Sequence, residues 1–116
     1  MPNADSLTPL APAVFHILLS LAEGERHGYA LRREIAQRTG GKMKLGPGVL
    51  YGSIHKMLEW ELIEESDERP DQHLDDERRR YYRITPFGRR VAQAEAARMR
   101  ELVQLAAARL GVPRHA

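Results

Sequence analysis

Glycine and proline constrain this chain more than any other feature of its sequence. Glu23-Gly24-Glu25, Thr39-Gly40-Gly41, Gly46-Pro47-Gly48, Thr85-Pro86 and Gly111-Val112-Pro113 separate stretches of helical apolar periodicity, so the helix ends are marked in the sequence. Over residues 7–22, Leu7, Leu10, Val14, Ile17, Leu18 and Leu21 follow one amphipathic face. Ser6 or Thr8 would cap this helix and Pro9 would suit its first turn, while Pro12 moves the expected start toward itself. Residues 28–38 turn Ala30, Leu31 and Ile35 inward and set Arg32, Arg33 and Arg38 around the outside. After Gly46-Pro47-Gly48, the stripe Leu50, Ile54, Met57 and Leu58 predicts a third helix over about residues 47–60. Tyr51, Gly52, His55, Lys56 and Glu59 fall largely on its other faces, where a core has no need of an aromatic ring or a cation.

Two short β-rich segments follow, Leu62-Ile63-Glu64-Glu65-Ser66 and Arg80-Tyr81-Tyr82-Arg83-Ile84-Thr85. Between them lies a polar stretch, Asp67 to Arg79, whose only apolar residues are Pro70 and Leu74. The pair reads as a hairpin with a long polar tip. Thr85-Pro86 then caps a helix that runs to Leu110 before Gly111 and Pro113 end it. Helix, helix, basic helix, hairpin, helix is the order of a winged helix-turn-helix. The expected fold is therefore α+β and mostly helical. Residues 1–85 would form a winged helix-turn-helix DNA-binding domain and residues 86–116 a C-terminal dimerisation helix, in one compact unit.

At 116 residues the chain is one domain, able to bury roughly two-thirds of its surface. It has no cysteine, which excludes disulfides, thiolate metal sites and thiol chemistry. No apolar run of about 18 residues is present to span a membrane, and the acidic, lysine-free start makes a poor secretory signal, so the cytoplasm is the expected location. Net charge is only +2, but it is unevenly placed. Residues 24–58 carry seven cations and two acids, residues 59–77 one cation and ten acids, and residues 78–116 ten cations and two acids. Two basic blocks around an acidic one suit a chain that meets a polyanion with selected parts of its surface. A solvated surface with an acidic loop would show the same pattern.

Double-stranded DNA is the partner these blocks suggest. On the third helix, Lys56 suits phosphate or guanine, Ser53 suits several base edges, and His55 stands beside them. Tyr51 offers a hydroxyl to phosphate and a ring to a thymine methyl, although its periodicity equally fits a core residue. Lys42 and Lys44 precede that helix and, with its N-terminal amides, suit backbone phosphate. Arg78, Arg79 and Arg80 would either meet DNA or neutralise Asp75, Asp76 and Glu77. On the last helix, Ala92, Ala96, Met99, Val103, Ala106 and Leu110 make a seven-residue repeat, which Val91, Leu102 and Leu105 widen. This face, with Leu7 and Leu10, predicts a homodimer interface. Trp60 would pack under the wing or line an effector pocket.

His16, His27, His55, His73 and His115 do not pair at ligand spacing, and only His73 has acids close by, in Asp71, Asp75 and Asp76. No functional metal site and no cofactor is expected. No nucleophile–base pair, phosphate-loop signature or cofactor fingerprint points to an enzyme.

In order and spacing, His27-Gly28-Tyr29-Ala30-Leu31, Thr39-Gly40-Gly41, Leu45-Gly46-Pro47-Gly48-Val49-Leu50-Tyr51, Leu62-Ile63-Glu64 and Arg79-Arg80-Tyr81-Tyr82-Arg83-Ile84-Thr85-Pro86-Phe87-Gly88 resemble the PadR-like transcriptional regulators. The resemblance covers most of residues 10–90 and looks like the short branch, with a single C-terminal helix. It implies a winged-helix homodimer joined through its first and last helices, acting as a repressor often relieved by a small effector. It further implies that Pro47, Gly48 and Tyr51 lead the recognition helix into DNA, that Tyr29 touches phosphate, and that the basic start of the second wing strand reaches the adjacent groove. An effector of unidentified chemistry would lie between the first and last helices, near Phe15, Leu19, Met99 and Val103. Three departures stand out. Glu61 replaces a usual glycine, which leaves its backbone either right-handed or mildly strained. Gly52 replaces a common proline, which would loosen the helix's first turn. The wing tip is long and acidic and should point away from phosphate. A protein partner docking on that tip is the alternative function.

Overall fold

The helices begin and end close to these breakers in the computed structural model of the chain, which describes residues 3–66 and 80–111. Helix α1 spans Pro12–Ala22, with Pro12 at its first turn. Leu7 and Leu10 are not on it. A separate 3-10 turn takes Ala4–Leu7, and Leu10 is buried in the link that follows. Pro9 and Pro12 explain the break, because a helix running through them would lack two amide hydrogens and clash with earlier carbonyls.

A two-residue strand, β1 (Arg26–His27), leads into α2 (Gly28–Arg38), and α3 spans Pro47–Glu59. Gly40 and Gly41 take φ of 62° and 82° beyond α2, the left-handed stop expected from Thr39-Gly40-Gly41. Gly52 leaves α3 unbroken. Strands β2 (Ile63–Glu65) and β3 (Tyr81–Ile84) pair antiparallel, with Ile63 opposite Ile84 and Glu65 opposite Tyr82. β1 pairs on the other edge of β3, placing Arg26 opposite Tyr82. The long helix α4 spans Pro86–Leu110, capped by the Thr85 hydroxyl, which accepts the Gly88 amide hydrogen at 2.9 Å.

One core joins these elements. Val14, Ile17, Leu18 and Leu21 of α1 meet Leu31 and Ile35 of α2, Leu50, Ile54 and Met57 of α3, and Leu62, Ile63, Tyr82 and Val91. Leu58 and Ala30, expected inward, are half-buried. Arg38 does not simply ring the outside of α2. Its guanidinium reaches α1, donating to the Ser20 hydroxyl at 2.7 Å and the His16 carbonyl at 3.2 Å.

One local feature decides between the two backbones expected at Glu61, and a second was not foreseen. Glu61 sits at φ 60°, so the strained alternative is the one realised, with a non-glycine residue in left-handed backbone. Glu95 is fully buried on α4. Its carboxylate accepts the Leu10 amide at 2.9 Å and Arg98 Nε at 2.6 Å, tying the N-terminal segment to α4.

The 25 residues of α4 reach about 37 Å. Gly88, Val91 and Glu95 are its buried positions, and from Arg100 onward only Ala106 is even half-buried. The last three turns thus stand clear of the domain.

Candidate nucleic-acid interface

With Leu50, Ile54 and Met57 in the core, helical geometry sends Gly48, Gly52, His55, Lys56 and Glu59 outward, and all five are exposed. Helix α3 begins at Gly46 without a side-chain cap, and Pro47 is exposed at its first position. Ser53 is half-buried on one flank. Tyr51 is half-buried on the other, packed against the core and the start of α2. A Cβ at Gly28 would lie 2.7 Å from the Tyr51 hydroxyl, so glycine there lets the two helices close. Both the core and surface roles expected of Tyr51 are compatible with that position.

The start of α2 is built around aromatic rings. His27 Nδ1 accepts the Ala30 amide at 3.1 Å and caps the helix. Its ring stacks near Tyr29 at 6.5 Å between centroids and meets Tyr81 edge-on at 5.3 Å. Tyr29 is 52% exposed, and the Arg33 guanidinium lies 6.0 Å from its ring centre. The sequence reading missed this pairing, although the i, i+4 spacing of Tyr29 and Arg33 signals it. Lys42 and Lys44 are exposed in the loop before α3.

Lys56 Nζ stands 5.5 Å from the centre of the Trp60 ring. Trp60 itself is not buried. It is 38% exposed and lines a groove between α3 and the Leu7–Val14 segment, on the far side of α3 from the Tyr51 contact with α2. Of the three wing arginines, Arg80 is described, half-buried, with Nη1 3.4 Å from Glu65. Both partners are over a third exposed, so this pair contributes roughly 0–1 kcal/mol and Arg80 can exchange it for another anion. Arg78, Arg79 and the acidic tip with His73 lie outside the described residues. Among the described residues, no three potential metal ligands come together.

The face of α4 expected to bind a second copy divides in two. Leu10 and Val91 belong to the protomer's own core, at 7% and 0% exposure, and are not available to a partner. The cause is the break at Pro9 and Pro12, which folds Leu10 inward, and the position of Val91 on the second turn of α4, facing the core. Leu7 and Ala92 are half-buried against that core. Farther along, Ala96 is exposed, Met99 and Ala106 are half-buried, and Leu102, Val103, Leu105 and Leu110 are 46–82% exposed. Of the residues expected near an effector, Phe15 is half-buried and Leu19 is 38% exposed one turn later on α1.

Among the described residues, no helix is long and apolar enough to cross a membrane. Residues 17–94 match the Transcriptional regulator PadR-like family. The transcriptional regulator Rv3488 of Mycobacterium tuberculosis is 33% identical over 89 residues, 77% of each chain. An uncharacterized 37.1 kDa protein in transposon Tn4556 of Streptomyces fradiae is 35% identical over 86 residues, of which this chain spans 22% of the length. In fold, the chain is similar to a PadR family transcription regulator from Clostridium difficile, with a TM-score of 0.72 at 20% identity, covering 87% of this chain and all of that one. With two-thirds of its sequence matched and its winged helix shared, the chain belongs to the PadR-like family of transcriptional regulators.

Proposed function

We propose that the protein is a cytoplasmic, homodimeric repressor that reads an inverted-repeat operator. The observation that carries this reading is the outward face of α3. Gly48, Gly52, His55 and Lys56 are exposed along it, with Tyr29 on one side and Lys42 and Lys44 ahead of it. Helix α3 enters the major groove of one half-site, and Pro47, Gly48, Tyr51, Ser53, His55 and Lys56 meet bases and nearby phosphates. Tyr29, Lys42, Lys44 and the arginines at 78, 79 and 80 hold the flanking backbone. Phosphate contacts of this kind make binding steeply salt-dependent.

The second copy covers the exposed rows of α4, from Ala96 to Leu110. Exposed leucines and valine on a helix that leaves its own domain support that partner. A two-fold dimer places its recognition helices about one DNA turn, roughly 34 Å, apart. A small effector lodged near Phe15, Leu19, Met99 and Val103 changes the angle between the two α4 helices. It shifts DNA affinity only through its differential affinity for the two arrangements.

Selection of randomised duplex DNA by the purified protein at physiological salt, followed by sequencing, tests the reading. Enrichment of an inverted repeat is the expected result. Retention of all sequences alike, with binding lost as salt rises, would overturn it.

A further inference from the structure

We infer that the groove between α3 and the Leu7–Val14 segment binds an alkyl chain carrying one carboxylate, and that the carboxylate takes Lys56 away from DNA. The binding rests on the groove alone, and the competition rests on α3 as the reader proposed above. Leu7, Pro9, Ala11 and Val14 line one side of the groove and Val49 and Trp60 the other, around a volume of about 420 Å³. That lies within the size range of small-molecule sites. Val49 is 58% exposed and Trp60 38%, so the apolar surface is open to an occupant. Gly48 and Gly52 also line it, and a Cβ at either would meet nothing within 4 Å, so bare backbone leaves the α3 side wide.

Charge and chemistry select the ligand. Lys56 is the one charged residue lining the groove. Its ammonium stands 5.5 Å from the centre of the Trp60 ring, and no carboxylate lining the groove neutralises it. A small polar anion would pair with Lys56 and leave the apolar walls wet. A neutral apolar molecule would cover the walls and gain nothing from the cation. A chain with one carboxylate does both. The ammonium occupies one face of the single ring, and the other apolar lining groups are aliphatic, so an alkyl body suits the groove better than an aromatic one. The groove shares no residue with the effector position near Phe15, Leu19, Met99 and Val103. Lys56 belongs both to the groove and to the outward row of α3, so carboxylate and duplex compete for one ammonium.

Trp60 is the only tryptophan of the chain, so its fluorescence reports the groove. The full-length protein is titrated with hexanoate, octanoate and decanoate at fixed pH and ionic strength, and with decanol and decyltrimethylammonium as controls. The response should saturate, with a midpoint that falls about two- to fourfold for each added methylene. Both controls should bind at least about tenfold more weakly than decanoate. Val49→Glu, which sets an acid in the groove at an exposed position, should weaken decanoate by a similar factor and keep the wild-type melting temperature. Decanoate at ten times its midpoint should weaken wild-type binding to the selected duplex about tenfold or more, and decanol at that concentration should not. An unsaturable response, equal responses to decanoate and decanol, or a response unchanged in Val49→Glu overturns the site. Saturable binding that leaves affinity for the duplex unchanged overturns the shared use of Lys56. If wild type selects no DNA sequence, the reading of α3 falls, and the fluorescence titrations still decide the groove.

Discussion

Replacing Glu95 by alanine should destabilise the fold strongly, although the position is a charged one on a helix. The carboxylate is fully buried and accepts the amide hydrogen of Leu10, itself 7% exposed, at 2.9 Å. Arg98 donates to the same group from Nε at 2.6 Å and Nη2 at 3.1 Å. Alanine leaves the Leu10 N–H buried without an acceptor, a cost of about 1–3 kcal/mol. It also removes a packed methylene, worth about 0.8 kcal/mol. The Arg98 side chain is 35% exposed and can turn to water, so no stranded charge is added. The expected loss is about 2–4 kcal/mol, a large share of the 5–15 kcal/mol that holds an ordinary domain. Urea unfolding followed by circular dichroism, at one fixed protein concentration, measures it. Glu95→Gln keeps an oxygen for Leu10 and should lose less than half as much. Equal losses for the two variants, or a loss under about 1 kcal/mol for alanine, would refute the assigned role of the Leu10 hydrogen bond. The hydrogen bond from Arg98, aided by that from Leu10 and by the Arg98 charge, outweighs burial and holds the Glu95 carboxyl below its ordinary value of 4.5. On acidification the unfolded chain therefore takes up this proton first. The contribution is complete above about pH 4.5 and is lost as pH falls through the folded value. Glu95→Gln should flatten that part of the stability profile.

Other expectations follow from the same contacts. Glu61→Gly should raise stability by about 0.5–1 kcal/mol in urea titrations, because relief of left-handed strain exceeds glycine's added unfolded-state entropy. Glu61→Ala, which keeps the strain, should not raise it. Gly28→Ala should lower stability by about 1 kcal/mol, and Tyr51→Phe, by removing the nearest atom, should recover part of that loss in a double-mutant cycle. Lys44→Ala should weaken DNA binding evenly across sequences and reduce the slope of log affinity against log salt by about 2 per dimer, read from titrations at several salt concentrations. Burial and the nearby Arg38 charge lower the proton affinity of His16, so wild-type stability should fall relative to His16→Gln as pH drops below 6.5.

The helices were legible because each combines a periodic stripe with a breaker. The ends of α2, α3 and α4 follow Gly40-Gly41, Gly46-Pro47 and Thr85-Pro86 closely. Where two prolines competed, at positions 9 and 12, periodicity alone ran the apolar face too far and put Leu10 on a helix it does not join. β1 was missed because two residues carry no period, and its existence depends on the free edge of β3. Glu95 was not singled out in the sequence. Its burial depends on a backbone amide 85 residues away, which local sequence does not encode. The outward row of α3 was readable from the stripe opposite it.

The role proposed for α3, reading the operator sequence, has a direct test in one comparison. The affinity of wild type for the selected duplex and for a scrambled duplex of the same composition would be measured at physiological salt, beside a His55→Ala, Lys56→Ala variant. Both positions are exposed, so the variant should remain folded. Wild type should prefer the selected duplex by about a thousandfold or more, and the variant should lose most of that preference while retaining salt-dependent binding to both. A variant that still discriminates as wild type does would place sequence reading on an element other than α3.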